Sequence, residues 1–291
     1  MIQTIENDFL KVSVNDHGAE LCSIYDKKND REVIWQADPT YWKRHAPVLF
    51  PNVGRQYDDK YRIGDKTYSL KQHGFARDSV FECVETTDTS ITHVLKSSES
   101  TKENYPFDFE LFITHVLNDN KLSVCWKVVS HSDETMYFTI GAHPAFNVPA
   151  GNIGTQDEYS LSFNGEDSLT YLLLDPDKST AIADEKHVLQ LDNGKCIIDK
   201  HMFDKGALLF DEQIEKAGIT YPDGKPYIEI DCKGYKSFGI WSVPGAGFVC
   251  LEPWMGRCDD CGFDGDISTK KYINALDKNE EFNASYDISI Y

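Results

Sequence analysis

The chain has 291 residues, 41% of them hydrophobic and 26% charged, a composition typical of a folded globular protein rather than a disordered one. Asp and Glu outnumber Lys and Arg by 48 to 29, which gives a formal net charge of -19. This charge repels phosphate backbones and anionic lipids, so it argues against nucleic acid and membrane partners and favours a neutral ligand.

The first residues contain no basic stretch followed by an apolar run, and no later segment approaches about 18 uninterrupted apolar residues. We therefore expect a cytoplasmic protein without a targeting signal or membrane span. The eight cysteines are scattered, several of them within strand-like segments. This distribution is typical of reduced thiols in a cytosolic protein rather than of a disulfide framework.

Most apolar residues fall in short segments that alternate with period two, the pattern of strands with one buried face. In chain order, the predicted strands cover residues 9–14, 80–84, 107–116, 122–129, 227–230 and 286–290. Turn-forming pairs such as Asn118-Asp119 and Asn193-Gly194 separate such segments. No helical periodicity lasts three turns; residues 211–217 are predicted to form a short helical turn and residues 96–104 a polar loop.

Many strands with few helices predict antiparallel sheets packed face to face, because a strand with one apolar face must bury it against another sheet. We expect an all-β protein, a large antiparallel β-sandwich with few short helices. No repeat, low-complexity tract or flexible linker marks a boundary. A single domain over residues 1–291 is therefore predicted.

Three segments place ionisable residues among apolar and small ones, which costs free energy if those residues are buried without partners. The first combines HAPVLFPNVGR at 45–55 with KQHGFARD at 71–78; the second is IGAHPAFN at 140–147, and the third is VCLEPWMGR at 249–257. Gly or Pro beside each ionisable residue suggests that a strand ends there and presents the side chain at a rim or cleft.

Each candidate residue also has a structural interpretation. His143 can be a core imidazole whose nitrogens bind backbone groups. Arg55 and Arg77 can each form a salt bridge, and His73 can likewise serve a structural role. Glu252 is harder to explain in this way, because it follows an apolar run and carboxylates are rarely buried without a partner.

Motifs for several other chemistries are absent. Cys258 and Cys261 have metal-ligand spacing, but no second Cys or His pair completes a four-ligand zinc site, so no metal site is predicted. The sequence has no glycine-rich phosphate loop and no G-x-G-x-x-G after a strand. It also lacks G-x-S-x-G, the nucleophile motif of α/β-hydrolases.

Taken together, the segments resemble the galactose mutarotase-like family, and specifically aldose 1-epimerases of its LacX-like branch. The matching motifs occur in family order, beginning with Gly18-Ala19-Glu20-Leu21, and extend over nearly the whole chain: Phe50-Pro51-Asn52-Val53-Gly54-Arg55, Gln72-His73-Gly74-Phe75-Ala76-Arg77, Gly141-Ala142-His143-Pro144-Ala145-Phe146 and Leu251-Glu252-Pro253-Trp254. The resemblance implies a β-supersandwich whose concave face binds a sugar, with no metal or organic cofactor.

The resemblance also implies roles for particular residues. The catalytic acid falls on His143, a second active-site histidine on His73, and the catalytic base on Glu252. A contact to sugar hydroxyls falls on Arg55, and the substrate-binding aspartate on Asp211.

Residue chemistry adds three substrate-binding candidates: Arg77 as a cation, and Phe146 and Trp254 as apolar surfaces for the C–H face of a sugar. Anomer exchange requires one base for the C1 hydroxyl proton and one acid for the ring oxygen. A carboxylate at Glu252 is expected to keep the pKa of His143 near the working pH by stabilising the imidazolium.

The predicted function is an aldose 1-epimerase, or mutarotase, that interconverts the α and β anomers of a free hexose. One alternative is a hexose-6-phosphate mutarotase, in which Arg44, Arg77 and Lys71 form an anion clamp. Another is a non-catalytic carbohydrate-binding or sensing protein. A glycoside hydrolase usually needs two carboxylates flanking the bond, and the sequence offers one convincing candidate.

Overall fold

Strands dominate the computed structural model, which describes residues 1–291. In chain order they are β1 (Ile2–Glu6), β2 (Leu10–Asn15), β3 (Glu20–Asp26), β4 (Arg31–Glu32), β5 (Val48–Leu49), β6 (Lys60–Ile63), β7 (Lys66–Ser69), β8 (Glu82–Thr86), β9 (Ser90–Lys96), β10 (Phe109–Asn118), β11 (Lys121–Ser130), β12 (Met136–Phe138), β13 (Ile140–Ala142), β14 (Ala145–Asn147), β15 (Ser160–Phe163), β16 (Ser168–Tyr171), β17 (His187–Gln190), β18 (Lys195–Ile197), β19 (Leu208–Asp211), β20 (Lys216–Thr220), β21 (Pro226–Asp231), β22 (Ser237–Trp241), β23 (Phe248–Met255), β24 (Asn274–Leu276) and β25 (Glu281–Ile290).

Helical structure is confined to single turns. The one α-helix, α1, covers Glu99–Lys102, and the 3₁₀ turns are Tyr57–Asp59, Ala76–Asp78, Gln156–Glu158 and Ile267–Thr269. None of the helices has the length and apolar character needed to cross a membrane.

Two large antiparallel sheets organise the molecule. The nine-stranded sheet has the order β18-β15-β20-β21-β25-β11-β10-β9-β8. The six-stranded sheet has the order β19-β22-β23-β13-β5, with β14 also paired to β23. A four-stranded sheet, β1-β2-β3-β4, and the ribbons β12-β24, β16-β17 and β6-β7 complete the structure. The predicted all-β class with large antiparallel sheets is confirmed.

The hairpin formed by β10 and β11 shows why the alternating segments fold as strands. Every second residue of β10 is buried, and the two strands pair from Phe109↔Ser130 to Asn118↔Lys121. Their buried faces join a core cluster of 59 residues that extends from Ile5 to Ile290 along the chain. Full burial of each large apolar side chain stabilises the fold by roughly 1.5 to 3 kcal/mol.

Two local predictions were wrong. Residues 211–217 contain no helical turn, because β19 ends at Asp211 and β20 begins at Lys216. Ile214 and Ala217 are both buried in the core, and their spacing of three imitates helical periodicity. The polar segment 96–104, predicted as a loop, contains α1 with a Ser98–Thr101 capping box.

Strand β23 positions the candidate site. Every residue from Phe248 to Trp254 is buried, so both faces of this strand are covered. Val249 and Leu251 point into the main core cluster, whereas Cys250 and Trp254 belong to two smaller clusters on the opposite face. Glu252 shares that opposite face, because side chains two residues apart along a strand point in the same direction.

Candidate active site

The face of the six-stranded sheet that carries Glu252 lines a cavity of about 330 Å³. This volume lies at the small end of the range of about 300 to 1,000 Å³ typical of small-molecule sites. Of the residues predicted from the sequence, five line the cavity: His73, Arg77, His143, Glu252 and Trp254. A larger depression of about 620 Å³ around Arg31 and Tyr221 contains no histidine, glutamate or cysteine.

Strand register brings His143 beside Glu252. Across β23, Gly141 pairs with Trp254 and Ala145 pairs with Cys250. His143 lies in the gap between these two short ladders, opposite Glu252, and the ladder is interrupted where Pro144 lacks an N–H donor. The His143 Nε2 atom consequently lies 3.3 Å from Glu252 Oε2.

Burial shifts both groups toward their neutral forms. The side chains of Glu252 and His143 are only 2% and 10% exposed. Burial raises the pKa of Glu252 well above its usual range. Burial lowers the pKa of His143 to about 3, and the guanidinium groups of Arg77 and Arg44 act in the same direction.

The expectation that Glu252 would hold the pKa of His143 near the working pH is therefore wrong. A carboxyl group that burial itself drives toward neutrality supplies little negative charge to stabilise an imidazolium. The pair instead shares one proton, which can lie on either residue, and its net charge is zero in both cases. In the neutral form the proton lies on Glu252, and in the ion-pair form it lies on His143.

His73 presents a fixed hydrogen-bond donor to the cavity. Its backbone adopts a left-handed φ of 67°, and its Nδ1 accepts a hydrogen bond of 3.0 Å from the Gly54 N–H. Burial lowers the pKa of His73 well below its usual value, which keeps the ring neutral. Because Nδ1 is an acceptor, the single ring proton lies on Nε2.

Two tryptophans that sequence analysis missed pack against His143. The Trp42 ring stacks on the imidazole at 4.8 Å between centroids, and the Trp241 ring meets it edge-on at 5.6 Å. Trp42 lies in a loop, outside every motif, and its carbonyl accepts a hydrogen bond from Trp35 Nε1. The sequence signal was a pair of aromatic residues, Tyr41 and Trp42, in an otherwise polar loop.

Trp254 lines the cavity because glycines lie beside it on both neighbouring strands. A Cβ atom added to Gly239 would lie 2.5 Å from the Trp254 six-membered ring, and one added to Gly141 would collide with its five-membered ring. The indole N–H donates to the Ala142 carbonyl at 3.2 Å. The indole therefore lies across these two positions, and larger residues there would displace it.

Three predicted substrate contacts lie elsewhere. Phe146 is fully buried in the main core, because it is an odd number of residues from His143 and β14 turns it to the opposite face. Arg55 does not line the cavity and instead forms two hydrogen bonds of 2.6 Å to Asp59. Asp211 also lies outside the lining and is held by three donors, Arg257 at 3.0 Å, Lys271 at 2.9 Å and Ser237 at 3.2 Å.

The two closely spaced cysteines occupy different environments. Cys258 is buried and lines the cavity, and burial raises the pKa of its thiol to about 11. Cys261 is exposed, and its thiol donates to the Thr180 carbonyl. All eight cysteines are free.

An all-β fold with a buried carboxyl–imidazole pair at a small cavity is the arrangement of a protein that could transfer protons on a small molecule. The sequence profile of the family described as aldose 1-epimerase matches residues 1–233. The chain therefore belongs to the aldose 1-epimerase family, which confirms the resemblance seen in the sequence and supports an isomerase acting on a sugar.

Relatives match over essentially their full length. Protein LacX (chromosomal) of Lactococcus lactis subsp. lactis is 29% identical over 297 residues, covering 98% of each chain. A solved galactose mutarotase related enzyme from Lactobacillus acidophilus is 34% identical, with a TM-score of 0.94 over 100% of this chain and 97% of that chain. A galactose mutarotase-like protein from Lactobacillus casei ATCC 334 is 29% identical, with a TM-score of 0.90 and full coverage of both chains.

The packing of Trp254 yields a stability prediction. Gly239→Ala should destabilise the protein by about 1 to 3 kcal/mol, because the new Cβ overpacks the indole ring, and should change the near-ultraviolet circular dichroism of the tryptophans. Denaturant unfolding measures the first effect. Gly247→Ala is the matched control, since a Cβ there meets nothing closer than 3.9 Å. Equal stability and spectra for the two variants would contradict the assigned packing.

Proposed function

We propose that the protein is an aldose 1-epimerase that interconverts the anomers of a free hexose, with Glu252 as general base and His143 as general acid. The observation that carries this proposal is the buried pair, 3.3 Å apart, at a cavity large enough for one monosaccharide. Family membership supports the reaction type.

Ring opening uses the ion-pair form of the pair. The Glu252 carboxylate takes the proton of the C1 hydroxyl, the His143 imidazolium delivers its proton to the ring oxygen, and the bond between C1 and the ring oxygen breaks. The open aldehyde is then bound beside protonated Glu252 and neutral His143. Burial favours this neutral form, so the opening step relieves the cost of two buried charges.

Ring closure reverses these transfers after rotation about the C1–C2 bond. Protonated Glu252 returns its proton to the carbonyl oxygen, and neutral His143 takes the proton of the ring hydroxyl as that oxygen attacks C1. The pair regains its ion-pair form. Because the pair holds one proton throughout, its net charge does not change at any step, as a buried site requires.

Other cavity residues support binding and orientation. His73 Nε2–H is a fixed donor for a sugar hydroxyl or the ring oxygen. The indole rings of Trp42, Trp241 and Trp254 offer apolar surfaces for the C–H face of a sugar. The stacked Trp42 also restricts the orientation of the His143 ring.

Removal of either proton-transfer group should abolish most of the activity. Glu252→Gln and His143→Asn should each slow mutarotation of freshly dissolved α-D-glucose or α-D-galactose by on the order of 10²-fold or more, the contribution typical of positioned proton transfer. Polarimetry or NMR exchange measures the rate.

Matched controls come from an exposed pair of the same chemistry. Glu110→Gln and His131→Asn alter a carboxylate and an imidazole that lie 3.2 Å apart on the surface, and both should retain wild-type rates. If Glu252→Gln and His143→Asn both stay within about threefold of wild type, the assigned roles are wrong.

The pH profile should lack the acid limb of an ordinary histidine. Lowering the pH would add a second proton to the pair, and His143 must accept it. Because burial lowers the pKa of His143 to about 3, this protonation does not occur near neutral pH. Raising the pH removes the single proton, which burial holds on Glu252 by raising its pKa. We therefore expect kcat/KM to stay constant from about pH 7 to about pH 5 and to fall only on the alkaline side.

The measurement is kcat/KM across this range, with tryptophan fluorescence recorded at each pH to verify that the protein stays folded. A fall in kcat/KM through about pH 6.5, the ordinary histidine pKa, in folded protein would contradict the protonation scheme.

A hexose-6-phosphate mutarotase is the second candidate, and Arg77 favours it. Of the three predicted clamp residues, Arg77 alone lines the cavity. Its Nε is buried without a hydrogen-bond partner, and burial together with Arg44 lowers its pKa. An added anion would relieve this unfavourable environment.

Rates on glucose and glucose 6-phosphate separate the two candidates. For a free-sugar enzyme, we expect a higher kcat/KM on glucose, and Arg77→Gln should leave the ratio of the two substrates near its wild-type value. A strong preference for the phosphate that Arg77→Gln removes would establish the second candidate. Saturable sugar binding without acceleration would instead indicate a binding protein.

A further inference from the structure

Cys250 adds a third donor to the buried pair. It precedes Glu252 by two residues on β23, so both side chains point to the same face of the sheet. The Cys250 sulfur, a His143 ring nitrogen and a Glu252 oxygen all lie within 4.8 Å of one another. All three residues are buried, and the proposed acid/base reaction does not use Cys250.

We propose that His143, Cys250 and Glu252 form a site for a soft divalent cation, with Zn²⁺ as the best match, and that the bound metal excludes the sugar. The metal site follows from the three side chains alone. The exclusion of sugar rests on the proposed function, because it requires that His143 and Glu252 act on the substrate.

The ligand types select zinc. Thiolate, imidazole and carboxylate are its usual protein ligands, and three of them with an open fourth position form a common arrangement. Mg²⁺ and Ca²⁺ prefer sites made of oxygen ligands, so a site with sulfur and nitrogen disfavours them. Glu252 and His143 line the cavity, so water from the cavity can supply the fourth ligand.

Charge and distance are also compatible. One thiolate and one carboxylate neutralise a dication, so the filled site carries no net charge in a buried environment. Ligand atoms around tetrahedral zinc lie about 3.5 Å apart. The ligand atoms here lie within 4.8 Å of one another, so a pair at that limit has to close by about 1.3 Å. Burial raises the pKa of the Cys250 thiol and of the Glu252 carboxyl, and the metal must displace both the thiol proton and the proton that Glu252 and His143 share when it binds.

Arg77 limits the affinity of the site. Its guanidinium lines the same cavity and acts electrostatically on His143. A cation at the site experiences the same positive charge. We therefore expect metal binding that a chelator reverses, unlike that of a permanent structural zinc.

Co²⁺ titration tests the site directly, because a cobalt–thiolate bond gives a charge-transfer band in the near ultraviolet. The wild-type protein should develop this band, and calorimetry should show that Zn²⁺ binds in a 1:1 ratio. Cys250→Ala should lose the band and weaken Zn²⁺ binding by at least about tenfold, the smallest loss typical of disturbing a metal site. Cys258→Ala is the matched control, since Cys258 lines the same cavity outside the trio, and it should keep the band.

Glu252→Gln provides a second variant in case Cys250→Ala fails to fold. It keeps the thiol but removes the carboxylate charge, and it should also weaken Zn²⁺ binding by at least about tenfold. In the wild-type protein, Zn²⁺ should slow mutarotation, and saturating sugar should weaken Zn²⁺ binding.

Absence of the cobalt band in wild-type protein, or full Zn²⁺ affinity in a folded Cys250→Ala or Glu252→Gln variant, would overturn the proposed site. Failure of the proposed function is distinguishable from this, because the cobalt band does not depend on turnover. If the protein binds metal through Cys250 but never accelerates mutarotation, the metal site is supported and the proposal that metal excludes the sugar is refuted.

Discussion

The contact between the Glu252 carboxyl and the His143 imidazole is the interaction on which the site depends. An isolated carboxylate buried in a protein interior is so costly that it takes up a proton or finds a partner. Here the partner comes from the short segment between β13 and β14, where the pairing of these strands with β23 is interrupted. In a continuous strand, alternation alone would set the direction of each side chain. The break leaves room for the His143 side chain beside Glu252.

The surrounding sequence serves this geometry. Val249 and Leu251 anchor β23 in the main core on one face of the sheet. On the other face, the Trp254 ring packs over Gly239 and Gly141. The segment after β23 carries Cys258 into the cavity wall. It is held by the buried ion pair Lys270–Asp259 at 2.6 Å and by the buried Arg257, which pairs with the partly exposed Asp211 and Asp260.

Sequence reasoning predicted the parts of the structure that local pattern determines. Alternation identified β10 and β11 because one face of each is buried, and the motifs identified His73, His143 and Glu252 as cavity residues. It could not determine which charged residues pair with each other. The resemblance assigned Arg55 and Asp211 to substrate, and in the folded chain Arg55 also pairs with Asp59 and Asp211 with Arg257. The aromatic pair Tyr41 and Trp42 marks the loop in the sequence, but it does not specify a contact with His143, because Trp42 and Trp241 reach that residue through tertiary packing.

Protonation states depend on the fold in the same way. From the sequence, Glu252 was expected to raise the pKa of His143, since a neighbouring carboxylate normally does so. In the folded protein, desolvation outweighs that attraction, and two arginines near the cavity oppose an imidazolium further. A pair that keeps one proton and no net charge is suited to a neutral sugar, because exchanging protons with a hydroxyl and a ring oxygen leaves the buried charge unchanged. An anionic substrate would require a compensating cation, and Arg77 is the cavity residue that provides one.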